Sequence, residues 1–156
     1  MVMYHDNGSL GGMIVLHVDD IVIATDGTDE IEAKVETLRE KYPFGEWVDV
    51  AECPDGITYT GRTIKIVGNE VHLDQQEFVD GRMDDVAVKR VRGRDGKDPC
   101  NATEHAEYRS GVGNLHWATS QTRVDHAIDT SKLQKKQNKP TYEDLKNLSK
   151  IVKEVK

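Results

Sequence analysis

Two adjacent aspartates, Asp19 and Asp20, stand between two apolar runs rich in β-branched residues, Met13 to Val18 and Ile21 to Ile23. Neighbouring carboxylates repel one another, and shielding from water raises that cost, so the pair needs compensation. A divalent cation supplies it. Hard cations such as Mg²⁺ take one or two carboxylates together with phosphate oxygens of a substrate. Turn residues making local hydrogen bonds account for the pair equally well, and residue chemistry leaves both readings open.

The other reactive side chains point to less. His105, His116 and His126 lie eleven and ten residues apart, which gives no shared face for a metal. Ser110 has no neighbouring histidine and acid in a nucleophile arrangement, and no phosphate-cradling glycine-rich loop is present. Cys53 and Cys100 have no C-x-x-C spacing and read as reduced structural thiols. Trp47 and Trp117 read as core or partly buried anchors.

The elements that must position the acidic pair follow from local pattern. Asp6-Asn7-Gly8-Ser9 reads as a tight turn joining a strand at Met1 to Tyr4 with one at Met13 to Val18. The latter strand is apolar on both alternating faces, which predicts a central strand covered on both sides. Asp19 and Asp20 then fall at a hairpin tip. Thr28 is placed to cap a helix with the stripe Ile31, Val35, Leu38 and Tyr42, ended by Pro43. From Glu46 to Leu73 the pattern is strand-like, with a Pro-Asp-Gly turn at 54–56 and a hairpin at Gly68-Asn69, and a short helix comes next over about 75–83. Lys89 to Asp98 reads as a mobile loop.

Beyond it the pattern is helical. Tyr108, Val112, Leu115 and Thr119 share one face; Thr122 to Asp125 reads as a capping box, and Thr141 to Asp144 starts a last helix with the stripe Leu145, Leu148, Ile151 or Val152, and Val155.

The 156 residues, 37% hydrophobic and 31% charged, predict one compact globular core. The first long uncharged stretch, Asn7 to Val18, is twelve residues, short of the roughly 20 needed to span a bilayer. No basic n-region precedes it, so the expectation is an intracellular chain. The net charge of −7 is unevenly spread: residues 1–80 hold 17 acids and 5 bases, residues 81–156 hold 11 acids and 16 bases. A basic second half can follow phosphates, and lysines solvating helix faces explain it as well.

His17-Val18-Asp19-Asp20 resembles the Tyr-x-Asp-Asp motif of reverse transcriptases, in the Tyr-Val-Asp-Asp form of copia-type LTR retrotransposons. The likeness continues in order. Tyr59-Thr60-Gly61 to Ile66 resembles the family's Leu-Gly strand, and Gly68 to Gln75 its Gly-x-Ile-x-Leu-x-Gln continuation. Tyr108-Arg109-Ser110-Gly111-Val112-Gly113 to Trp117 resembles the family's Tyr-Arg-Ser-Leu-Val-Gly-Ser-Leu-Leu-Tyr-Leu, and Thr122 to Asp125 resembles its Thr-Arg-Pro-Asp. His17 replaces the motif's Tyr, Thr60 and Gly111 replace Leu, Val124 replaces Pro, and His126 replaces an apolar residue. Glycine in a helix interior costs about 1 kcal/mol relative to alanine, so such changes fit a decayed or divergent element.

The resemblance implies an α+β fold, with an antiparallel palm-type sheet and helices over residues 1–88 and a basic loop and helical thumb-like part over 89–156. It implies Mg²⁺-dependent nucleotidyl transfer with Asp19 as metal ligand and Asp20 as its partner. His17 and Val18 would lie beside the primer end, and Tyr59, Gly61 and Arg62 in the primer-supporting strands. Arg62, Lys89, Arg90, Arg92 and Arg94 are the candidates for phosphate contact. The partners implied are an RNA or DNA primer–template and either the upstream polymerase region or a second copy. Only 18 residues precede Asp19, with Asp6 the one acid among them. The family's further catalytic Asp and fingers lie upstream, so Mg²⁺ binding is expected to be weak and this chain alone inactive. A non-catalytic nucleic-acid-binding or protein-interaction remnant is the alternative.

Overall fold

The computed structural model describes every residue except Pro43, Arg90 and Val91. The described residues form an α+β fold of five α-helices and two separate three-stranded antiparallel sheets, and the chain divides into two compact units, Met1–Asp55 and Gly56–Lys156. The expected single core is therefore two cores.

In the first unit β1 (Val2–Tyr4), β2 (Leu10–His17) and β3 (Asp20–Thr25) pair in sequence order, and helix α1 (Asp29–Lys41) covers one face. Met3, Ile14, Ile31 and Val35 form the core, with Ile21, Ile23 and Leu38 packed against it. Gly11 and Gly12 permit the approach: a Cβ on Gly11 would lie 2.4 Å from Ile31 Cδ1, so no larger residue fits beneath the helix. The face away from α1 is bare. Val2, Tyr4, Leu10, Met13 and Val15 are all about half exposed, so β2 is not the doubly covered strand that its composition predicts. Tyr42, assigned to the helix stripe, is exposed instead and packs near Phe44; Pro43, the expected terminator, lies outside the described residues.

The Thr28 side chain does not cap α1. The carboxylate of Asp26 instead accepts from the Thr28 backbone amide and hydroxyl, at 3.1 and 2.8 Å.

In the second unit β4 (Ile57–Tyr59), β5 (Arg62–Val67) and β6 (Glu70–Asp74) form a meander joined by Thr60-Gly61 and Gly68-Asn69. No strand forms between Glu46 and Gly56, where a 3-10 turn at Val50–Glu52 stands instead. Helices α2 (Gln76–Arg82), α3 (Ala102–Gln121), α4 (Ala127–Gln134) and α5 (Tyr142–Val155) complete the unit. One core joins Val79, Met83 and Val86 to Tyr108, Val112 and Leu115 of α3 and to Leu145, Leu148, Val152 and Val155 of α5. The compact division therefore falls after Asp55 rather than after Val88, because α2 and the segment behind it pack into the helical core.

Reciprocal capping boxes start α3 (Asn101 with Glu104) and α5 (Thr141 with Asp144). The box expected at Thr122 is absent: Thr122 ends α3, and a 3-10 turn at Val124–His126 leads into α4. Gly111 has a packing reason rather than being a sign of decay. A Cβ there would lie 3.0 Å from Leu148 Cδ2 and 3.2 Å from Val86 Cγ2, so glycine lets α5 close on α3.

Candidate functional site

The acidic pair lies at a hairpin tip. His17 and Asp20 are the last paired residues of β2 and β3, leaving Val18 and Asp19 as a two-residue loop. Val18 has φ +52°, a left-handed conformation seldom adopted by a β-branched residue, and its side chain is 79% exposed. His17, Asp19 and Asp20 are exposed as well, and neither aspartate has a cationic partner within 4.0 Å among the described residues. Side chains alternate along a strand, so His17 and Asp20 share a face with Val15 and Val22 and with Met13 and Ala24. That is the bare face of the sheet.

As a cation site the tip is sparse. Among the described residues no group of three His, Cys, Asp or Glu side chains is gathered to hold a metal. Two carboxylates suit one Mg²⁺ that keeps most of its water or takes substrate phosphate oxygens; they do not suit a two-ion centre.

The base of the same unit is tied by a cluster that no sequence motif announces. His5 Nε2 lies 2.7 Å from Asp26 Oδ2, and its Nδ1 lies 3.0 Å from Glu30 Oε2. The two carboxylates hold the imidazole charged above its ordinary range. Lys34 and His5 together draw Glu30 down to about 2, and His5 and Thr28 do the same to Asp26. Lys34 Nζ also donates to the Tyr4 carbonyl at 2.7 Å, so β1 is pinned to the first turns of α1. Only the three-dimensional approach of residues more than 20 apart creates this cluster, and local pattern carries no trace of it.

In the second unit Tyr59, Gly61 and Arg62 meet at the β4–β5 turn, where Thr60 (φ +50°) and Gly61 (φ +74°) are both left-handed. Arg62 is not presented to solvent as a bare cation: one guanidinium nitrogen donates to Gln121 Oε1 at 2.6 Å, and the other to the Thr60 hydroxyl. Tyr59 buries its hydroxyl and Arg62 its Nε without a hydrogen-bond partner among the described residues. Trp117 lies against the turn and meets Phe78 edge-on at 6.4 Å, but it is an exposed residue rather than the buried anchor expected.

The remaining phosphate candidates separate. Arg94 is committed to structure: it grips both carboxylate oxygens of Glu104, donates to the Pro99 carbonyl at 3.0 Å and sits 4.3 Å above the Tyr142 ring. The stretch expected to be a mobile loop is thus anchored at its centre. Lys89 and Arg92 are exposed, and the Lys89 carbonyl accepts from Tyr142. Arg90 lies outside the described residues. The histidines are each accounted for: His105 donates to the Gln137 carbonyl at 2.6 Å, His126 lies 3.2 Å from Asp125, and His116 is exposed. Both cysteines are thiols, and burial pushes that of Cys100 up.

No helix among the described residues is long and apolar enough to cross a membrane. Comparison with known proteins finds no matching family model, no matching curated protein and no matching solved structure.

Proposed function

We propose that the chain is a portion of a copia-type retrotransposon reverse transcriptase, carrying the Asp-Asp hairpin of the palm, the primer-supporting strands and the start of a helical thumb. The observation that carries this reading is the tip itself: two exposed aspartates, without cationic partners among the described residues, at a two-residue turn, the second opening a strand. The order of the later motifs supports it, with the Thr60-Gly61 turn, the Gly68-Asn69 hairpin and the Tyr108 to Trp117 helix arranged in family sequence. Asp19 is the Mg²⁺ ligand and Asp20 its partner. When bound, Mg²⁺ activates the primer hydroxyl and stabilises charge on the transferring phosphate. His17 and Val18 lie beside the primer terminus.

The two carboxylates at the tip are too few for a two-ion centre, so this chain does not polymerise by itself. The test is primer extension on an RNA template with Mg²⁺, by this chain and by a form extended upstream into the coding frame. Extension is expected only from the longer form, and Asp19→Asn should abolish it. Synthesis by the short chain that survives Asp19→Asn refutes the reading.

The bare apolar face of the first sheet favours a second reading, a non-catalytic remnant whose exposed sheet is covered by another chain. It predicts a mass by sedimentation that rises with concentration and ignores Asp19→Asn.

A further inference from the structure

The second unit holds a basic feature that none of the motifs above includes. From Ser131 to Pro140 the chain carries Lys132, Lys135, Lys136 and Lys139 and no acid. This is the α4–α5 turn, and its backbone is fixed. Successive tight turns wind it, through Lys136 N to Leu133 O at 3.0 Å, Gln137 N to Gln134 O at 3.2 Å and Lys139 N to Lys136 O at 3.1 Å. Three bonds hold it from beneath. The buried Tyr108 hydroxyl donates to Leu133 O at 2.9 Å, His105 donates to Gln137 O at 2.6 Å, and the Cys100 amide donates to Pro140 O at 3.0 Å.

The nearby acids along the chain are already occupied. Asp129 pairs with Lys132 at 2.8 Å, Glu143 with Lys146 at 3.3 Å, and Asp144 caps α5. Lys135, Lys136 and Lys139 are exposed, and none has a carboxylate within 4.0 Å among the described residues. Three uncompensated ammonium groups on a rigid turn are arranged to displace counterions from a polyanion, with no backbone ordering left to lose.

We propose that this turn is a phosphate-binding site for a nucleic-acid backbone, with Lys135, Lys136 and Lys139 as its contact residues. A backbone fits better than an anionic lipid surface. Within the turn the large apolar side chains, Leu133 and Pro140, are both buried, so the turn itself offers no apolar side chain for insertion among acyl chains. The proposal rests on the nucleic-acid reading above only for the identity of the polyanion.

The experiment titrates the full chain against a fluorescent oligothymidylate of about 20 nucleotides, and a duplex of like length, from about 50 to 200 mM salt. For the single strand, each phosphate contact contributes about 0.7 to the slope of log affinity against log salt, so the triple change K135Q/K136Q/K139Q should flatten it by about 2. The comparison variant K146Q/K150Q/K153Q removes the same charge from the outer face of α5 and should flatten the slope by less than half as much. Unchanged tryptophan fluorescence shows that both variants fold. Equal effects of the two variants, no effect of the first, no binding by the parent chain, or tighter binding to phosphatidylserine vesicles than to either oligonucleotide each overturn the proposal. If the first variant leaves the slope intact while the upstream-extended chain still extends primers, the turn is excluded and the polymerase reading stands.

Discussion

Val18 offers a measurement in which the expected sign runs against the usual effect of mutation. Its φ of +52° costs an L-residue about 1–2 kcal/mol, and branching at Cβ makes the position worse. The side chain is 79% exposed, so almost no burial offsets the strain. Val18→Asn places a residue that tolerates the left-handed region at the same point, and should stabilise the first unit by about 1 kcal/mol. Trp47 and Trp117 are the two tryptophans and lie in different units, so a Trp117→Phe background leaves Trp47 as the reporter of the first unit alone. Trp47 stands 4.4 Å beneath Arg39 of α1, so its emission follows docking of that helix. With a urea dependence of about 1 kcal/mol/M for so small a unit, the midpoint should rise by about 1 M. An unchanged or lowered midpoint refutes the strained turn. On the polymerase reading, strain at this tip is maintained by function, and the same substitution should then lower primer extension by the upstream-extended chain.

The remaining predictions address the two cores and their ionic ties. Tyr108→Phe leaves the buried Leu133 carbonyl without its hydroxyl donor and should cost the second unit about 1–2 kcal/mol, read by urea unfolding followed through Trp117 in a Trp47→Phe background. Leu148→Ala, at a fully buried position against Gly111, should cost about 2–5 kcal/mol by the same signal. The His5 cluster sets a pH window for the first unit. The folded imidazole titrates above its ordinary 6.5, so its contribution is complete below 6.5 and is lost as pH rises through the folded value. Asp26 and Glu30 titrate near 2 when folded, against ordinary values of 3.8 and 4.5, so theirs is present above about 4.5 and fades as pH falls toward 2. Urea midpoints read through Trp47 should therefore plateau between those limits, and His5→Gln should remove the alkaline decline.

Local pattern reached the elements whose determinants are local. The α5 stripe of Leu145, Leu148, Val152 and Val155 is buried as its period requires, the Thr141 capping box forms, and the Gly68-Asn69 hairpin closes between paired Val67 and Glu70. The acidic pair was legible for the same reason, since two charges between β-branched runs leave few places other than a turn. What failed depended on partners distant in sequence. β2 has the composition of a doubly covered strand, yet among the described residues its cover is α1 on one face, and no property of Met13 or Val15 reveals how many layers surround them. Gly111 looked like a helix defect because its justification, Leu148 and Val86, lies on other elements. Arg62 and Arg94 have the chemistry of phosphate ligands, but Gln121 and Glu104 hold them, whereas Lys135, Lys136 and Lys139 have the pattern of ordinary solvation and yet lack carboxylate partners among the described residues.

The compact units also sharpen the electrostatic division. Met1–Asp55 holds 13 acids against 3 bases, and Gly56–Lys156 holds 15 against 18. The twin aspartates thus sit on a unit whose whole field repels phosphate, and a polyanion can reach them only with cations interposed, because each carboxylate added to a like-charged surface raises the cost of approach. On the proposal made for the α4–α5 turn, the second unit needs no such intermediary, since its lysines would gain from releasing the polyanion's own counterions. Added monovalent salt therefore acts in opposite senses on the two: it screens repulsion at the hairpin and erases attraction at the lysine turn. The charge asymmetry thus separates a unit whose field repels phosphate from one whose bases slightly outnumber its acids.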